Sequence, residues 1–493
     1  MPAILRSLAK GSSRLALMGG IVALAAAVIF LESCGNSGSS IVSSGTGTIH
    51  VSLTDPPSCA FPNGNYDHVY VTIRSVQANI NASADDNASG WQELTPQLNT
   101  QPLQIDLFAA GSNACLLSQL GSTTGLPTGS YQQIRLLLVA NDGGSGPLPA
   151  TNACGKQGFN CVVLHDGSVN ELQLSSQANT GLKIPPGQIV GGPIVVSPGQ
   201  DIDLNIDFNA CASIVQEGNG QFRLKPVLTA GQVSTNSSGI SGQVVDGGTG
   251  LPVAGGNVLV ALEQLDSSGT DVIFMQKAAD SNGNFNFCPL PTGATFDVVA
   301  VAINGAGVAY NATIGVGVPG GTNLGAIPLA IETGPPAGPA TLKGFLTATT
   351  GSAPATVDAS VAALQTITPS GLAARPVTIP AEGTSTTNIA IQSSTGCPAT
   401  APLHTNCTQY TLIEPASNPR FGVFSAGKIT YSAPAGGVVP YTIRANAFQP
   451  LSGGATDCTP SSKLTSLDSL GNPLKVTPSA TVTPAEIDFA GCT

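Results

Sequence analysis

The sequence predicts an all-β protein: tandem β-sandwich domains behind an N-terminal signal or anchor segment. Short runs that alternate apolar and polar residues, rich in Val, Ile and Thr, recur along the chain at strand spacing. Gly (59) and Pro (37) punctuate these runs, and together they stay below the roughly 25–30% that marks low-complexity disorder. Beyond the N-terminal segment, no apolar stripe at helical spacing persists for as long as about ten residues.

The N-terminal segment sets the compartment. Arg6, Lys10 and Arg14 precede an unbroken apolar or small run from Leu15 to Leu31, and small residues follow. A basic stretch, an apolar core and small residues form the layout of a secretory signal. Leu31-Glu32-Ser33-Cys34-Gly35 resembles the lipobox of bacterial lipoproteins, in which cleavage before the cysteine leaves it acylated. Glu32 stands where that family usually has a small neutral residue. The resemblance implies lipidation at Cys34 and membrane anchoring through that lipid. Gly35, rather than Asp, at the next position implies outer-membrane placement. Two alternatives share the same start. The 17-residue run reaches the lower bound of a membrane-spanning helix, about 17 residues, so an uncleaved helical anchor is one. Ordinary cleaved secretion is the other. All three put the rest of the chain outside the cytoplasm.

At 493 residues the chain is too long for one core. Residues 35–46 are small and polar and read as a flexible tether behind the signal at 1–34. Soft stretches at Gly231–Gly239 and Thr333–Ala340 divide the remainder into 47–232, 238–334 and 340–493.

In the first module, Ile49, Val51 and Leu53 share one face of a strand that ends at Pro56-Pro57. Val69, Val71 and Ile73 do the same in Tyr66–Arg74. A turn at Leu126–Tyr131 leads into a strand over Gln133–Ala140, and Asp203–Phe208 alternates strictly. The pieces Val51–Pro56, Tyr66–Val69, Leu126-Pro127 with Gly129 and Tyr131, Arg135-Leu136, Asp207-Phe208 and Leu224–Val227 resemble domain of unknown function 4382. That family occurs typically in exported lipoproteins and carries no assigned activity.

In the second module, Ile240–Asp246, Thr249–Gly255 and Val258–Leu262 read as strand, turn, strand. Asp280–Phe287 is a polar turn entering a strand, and Leu290–Gly293 turns into Phe296–Val301. This pattern, over about 239–303, resembles the carboxypeptidase regulatory-like, transthyretin-type domain, a seven-stranded sandwich grouped with carbohydrate-binding-like folds. The resemblance implies a spacer, binding or scaffolding unit and not a catalyst. The third module opens with Thr341–Thr347, which parallels the opening of the second, and Ser360–Leu364 echoes Val258–Leu262. It reads as a diverged sandwich in which Ser393–Asn418 forms a disulfide-braced loop.

Charge excludes one class of partner. Removing the signal takes basic residues from 17 to 14 and acidic ones from 28 to 27, so the net charge moves from −11 to −13. An acidic chain without a basic cluster has no means of holding phosphates, and no nucleic-acid partner is expected.

Of eleven cysteines, Cys34 belongs to the lipobox and the rest fit disulfides in an oxidising compartment. Cys154 with Cys161, and Cys397 with Cys407, are spaced to close hairpins. Odd counts in the first two modules suggest a Cys211–Cys288 bridge.

Candidate chemistry is thin. Asp201, Asp203, Asn205, Asp207 and Asn209 lie at period two on one strand face, so Asp201, Asp203 and Asp207 are a weak calcium candidate. The competing reading is a solvated face opposite Ile202, Leu204, Ile206 and Phe208. Asp280–Asn284 begins like a calcium loop, but Phe285 occupies the position needing Gly, so a hairpin turn is expected. Gly315–Gly320 matches a dinucleotide fingerprint by letters only, with no helix to follow. His50, His68, His165 and His404 are scattered, and no nucleophile elbow is present. The single Trp91 reads as a core or strand anchor. No catalytic residue and no cofactor other than that calcium are expected. The leading expectation is a non-catalytic, lipid-anchored envelope protein presenting sandwiches to polysaccharide or an envelope protein. A glycan-directed hydrolase with unassigned carboxylates and a purely structural spacer are the alternatives.

Overall fold

A computed structural model of the chain describes residues 45–493, except 55–65, 109–117, 145, 175–180, 185, 191, 209, 218–219, 226, 234–238, 267, 289, 291–292, 332–337, 383–384, 434–435, 449–457 and 493. Cys34, Glu32 and the apolar run therefore lie outside the described residues, as do Cys59, Cys115 and Asn209. Among the described residues no helix is long and apolar enough to cross a membrane. The protein is all-β, with one four-residue α-helix, Ala210–Ser213, among the described residues.

The first module is a sandwich of two sheets. Thr46–Thr54 lies at the heart of one sheet, parallel to Asp201–Phe208 and antiparallel to Ser118–Pro127. Leu228–Val233 continues that sheet beyond Asp201–Phe208. The long strand Tyr66–Asn79 organises the other sheet, pairing with Gln133–Leu138 and Cys161–Leu164. The period-two apolar positions do what the alternation predicts. Ile49, Val51 and Leu53 from one sheet meet Val69, Val71 and Ile73 from the other in one buried core.

The second and third modules are not separate beads. Asn257–Leu265, Asp271–Ala278, Thr295–Ile303 and Thr313–Pro319 of the second join Val357–Ile367, Arg375–Ile379, Arg420–Ser425 and Thr442–Phe448 of the third in one sheet. Two parallel pairings make the joins. Thr313–Pro319 runs beside Arg420–Ser425, and Asp271 pairs with Val377.

The residues explain why the sheet can be shared. In Thr295–Ile303, Phe296, Val298, Ala300 and Ala302 face a core with Ile240, Phe285 and Phe287. The alternate residues Val299 and Val301 face a second core with Leu342, Leu346 and Phe489 of the third module. A strand buried on both faces needs a continuous apolar run and not an alternation. The runs at 258–262 and 298–302 have that character.

Some expectations meet a different outcome. Much of Ser393–Asn418 is not loop, because Asn406–Glu414 is a nine-residue strand antiparallel to Ala340–Thr349. Its alternating Tyr410 and Leu412 enter the shared core. The Asp280–Asn284 segment is a turn, closed by Gly283 N–H donating to the Asp280 carbonyl at 2.8 Å. Gly283 has φ +77°, and a Cβ there would lie 2.1 Å from the Val244 carbonyl oxygen, so the position requires glycine. Gly315 and Val316 sit inside Thr313–Pro319, on a strand that leads to no helix.

Candidate functional site: the charged junctions between modules

The strand Asp201–Phe208 places its acidic residues in two environments. Asp201 is exposed and lies 3.0 Å from His50 Nε2. Asn205 and Asp207, by contrast, are buried, so the expected solvated face extends over only part of the strand. Thr54 donates to Asp207 Oδ1 at 3.2 Å, and the Asn205 amide donates to Thr54 Oγ1 at 2.8 Å. Burial pushes the Asp207 carboxyl up to about 7, and the Thr54 hydrogen bond opposes that only in part. Asn205, Asp207 and Thr229 line a small cleft together with Phe274 and Met275 of the second module. The structure thus separates Asp201 from Asp207 by environment and does not gather Asp201, Asp203 and Asp207 around one point. Among the described residues no group of three or more His, Cys, Asp or Glu side chains is arranged to hold a metal.

Two charge clusters that sequence reading missed lie where modules meet. In the first, Glu263 and Asp297 are direct cross-strand partners, an arrangement that repels if both are ionised. Asp271 joins them from the neighbouring strand. Arg375 of the third module reaches in, its Nε 2.5 Å from Asp271 Oδ2 and its Nη2 on Asp297 Oδ2. The Asp271 contact is close but not aligned as a hydrogen bond. Thr378 N–H donates to Glu263 Oε2 at 3.2 Å and Gly317 N–H to Asp297 Oδ1 at 2.8 Å. Burial, followed by the Asp271 and Asp297 charges, drives the Glu263 carboxyl well above the usual range. Asp271 is also raised, by burial first and then by Asp297. The cluster is therefore three carboxyls around one guanidinium, with burial favouring the protonated form of Glu263.

The second cluster joins the first module to the third. Phe222–Leu224 carries Arg223, and Lys225 follows. Asp358 and Asn388 sit diagonally on one face of the third module, because Asp358 pairs with Ala390 and Ser360 with Asn388. Arg223 binds both oxygens of Asp358, with Nη1 2.5 Å from Oδ2, and its Nε is 2.5 Å from Glu217. Lys225 Nζ donates to Asn388 Oδ1 at 3.1 Å. Lys225 belongs to a sequence piece singled out above, yet nothing in its neighbours signals a partner so far along the chain.

The remaining candidates fall elsewhere. Cys154–Cys161 and Cys397–Cys407 are disulfides with Cα–Cα distances of 5.6 and 5.5 Å, and a further bridge joins Cys458 to Cys492. Cys288 is disulfide-bonded, while the Cys211 side chain lies outside the described residues. His68 lies 2.7 Å from Asp106, and His165 contacts Asp67. His404 lies away from these on the Cys397–Cys407 loop, with φ 57°. Trp91 is a half-buried loop residue and not a core anchor. Its Nε1 donates to the Asp85 carbonyl, and the Arg135 guanidinium lies 4.0 Å above its ring.

Residues 46–226, the span of the first sandwich, match the family described as "Domain of unknown function (DUF4382)". No curated protein matches the chain. Among solved structures, the chain is similar to the Bacillus anthracis TIE protein at 8% identity, over 90% of this chain and 50% of that one, with a TM-score of 0.15. The chain thus spans half the length of that protein. The shaft pilin SpaA of Lactobacillus rhamnosus GG is matched at 10% identity over 59% of this chain and all of that one, with a TM-score of 0.17. A putative adhesin of Bacteroides ovatus is matched at 11% identity over 52% of this chain and 93% of that one, with a TM-score of 0.14.

Proposed function

We propose that this is a non-catalytic, lipid-anchored envelope protein whose sandwich modules are locked into one body that presents surfaces to polysaccharide or to another envelope protein. The observation that carries the reading is the use made of the buried charges. Asp271 and Asp297 are spent on Arg375, and Asp358 on Arg223. These contacts join modules instead of lining a substrate cleft, which fits a protein that bears load or holds surfaces in register. The seven strands from Ile240–Asp246 to Asn323–Leu329 support a carboxypeptidase regulatory-like second module, and polysaccharide is proposed by analogy with that fold alone. The signal pattern ending at Cys34 supports an outer-membrane lipid anchor.

A glycan array and a panel of hydrolase substrates, applied to the same purified chain, test the function. Binding without turnover is the expected result. Turnover abolished by a single carboxylate substitution establishes the hydrolase instead, and silence in both assays leaves a structural spacer. Mass spectrometry of the mature terminus tests the anchor: an acylated Cys34 is expected, and an unmodified Met1 contradicts it.

A further inference from the structure

The junction between the first and third modules brings together an amine and a carboxamide in a setting that suits their reaction. Lys225 is only 5% exposed, and its Nζ lies 3.1 Å from Asn388 Oδ1. The adjacent Arg223–Asp358 pair is bidentate, which fixes both partner strands against sliding. We propose that Lys225 and Asn388 are the two halves of a self-formed amide cross-link that joins the first module covalently to the third.

The step needs no outside reagent. The neutral Lys225 amine attacks Asn388 Cγ and a new N–C bond forms. The C–N bond to the carboxamide nitrogen then breaks. That nitrogen leaves as ammonia, carrying the proton lost by the lysine. No atom is oxidised or reduced. Two features of the site favour the step. Burial lowers Lys225 to about 7, against the opposing pull of Asp358, so an appreciable fraction of the amine is neutral and nucleophilic near neutral pH. Folding holds the two groups together, which turns a sluggish bimolecular aminolysis into a unimolecular reaction. Both Asp358 oxygens are held by Arg223, so the amine proton passes directly to the departing nitrogen while the Asp358 charge acts on Lys225 from a distance. Such a bond would bridge 163 residues of sequence and make the junction resistant to pulling.

The test is peptide mapping of the full purified chain after denaturation, reduction and proteolysis, read by tandem mass spectrometry. The expected result is a branched peptide carrying Lys225 and Asn388, lighter by one ammonia than its two linear arms together. It should account for most of the Lys225 and be absent from Lys225→Arg and Asn388→Ala. Recovery of the linear Lys225 and Asn388 peptides in full yield from the folded wild-type chain overturns the proposal, whether or not either variant folds.

Discussion

At the scale of single residues, the buried charges make the sharpest demands. Asp207 has a folded-state pKa of about 7, against about 3.9 in an unfolded chain. Between those values the folded state binds more protons than the unfolded one, so stability falls as pH rises through this window. The contribution is complete below about pH 4 and lost above about pH 7. Asp207→Asn copies the protonated acid and removes the loss. The variant should therefore melt close to wild type at pH 4 and above it at pH 8. The upper limit of the gap is a few kcal/mol, at about 1.4 kcal/mol per unit. Thermal melts at the two pH values check this, and a gap that does not change with pH contradicts it. Arg375→Met removes the cation shared by Glu263, Asp271 and Asp297, and should cost about 3–5 kcal/mol, seen as a lower denaturant midpoint. Adding Glu263→Gln should recover part of that loss. Little of this was legible in advance. The period-two acids of Asp201–Phe208 mark a strand face, but Asp207 shares its cleft with Phe274 and Met275 of another module. The partners of Arg375 stand 78 residues or more away in sequence, and no local pattern encodes such a meeting.

At the scale of elements, the strands were the most legible feature, because alternation is a local property. Ile49, Val51 and Leu53, or Val69, Val71 and Ile73, announce their buried face within a few residues. Hairpin-closing cysteines are legible for the same reason. Replacing Cys154 and Cys161 by Ala should cost about 2–3 kcal/mol by loop entropy, measured by denaturation with the other bridges intact. The sharing of one sheet between the second and third modules was harder to see. Its signal was present in the unbroken apolar runs at 258–262 and 298–302, which suit strands covered on both faces but equally suit an ordinary inner strand. The consequence is testable. Residues 238–334 expressed alone should expose Leu259, Val299, Val301, Ile314 and Val316, all buried in the shared core, and should bind hydrophobic dyes or aggregate. Residues 238–493 should do neither. A soluble, dye-silent 238–334 fragment contradicts the shared core.

At the scale of the molecule, Ser44–Thr493 forms one compact unit, although composition and soft stretches divide it into three modules. Pro- and Gly-rich stretches mark where the chain turns from one module to the next, but they do not say whether the modules then dock. Docking depends on the pairings of Thr313–Pro319 with Arg420–Ser425, of Arg375 with Asp271 and Asp297, and of Arg223 with Asp358. Each pairing joins distant parts of the chain, so loosening one module should loosen the others.

Differential scanning calorimetry of residues 44–493 tests that claim most directly. Independent modules of this size ordinarily melt as separate transitions. The docked arrangement predicts one transition, with the calorimetric and van't Hoff enthalpies in agreement, and predicts that Arg375→Met or Arg223→Met lowers or splits it. Three transitions in the wild-type chain, each unmoved by either substitution, would contradict the account.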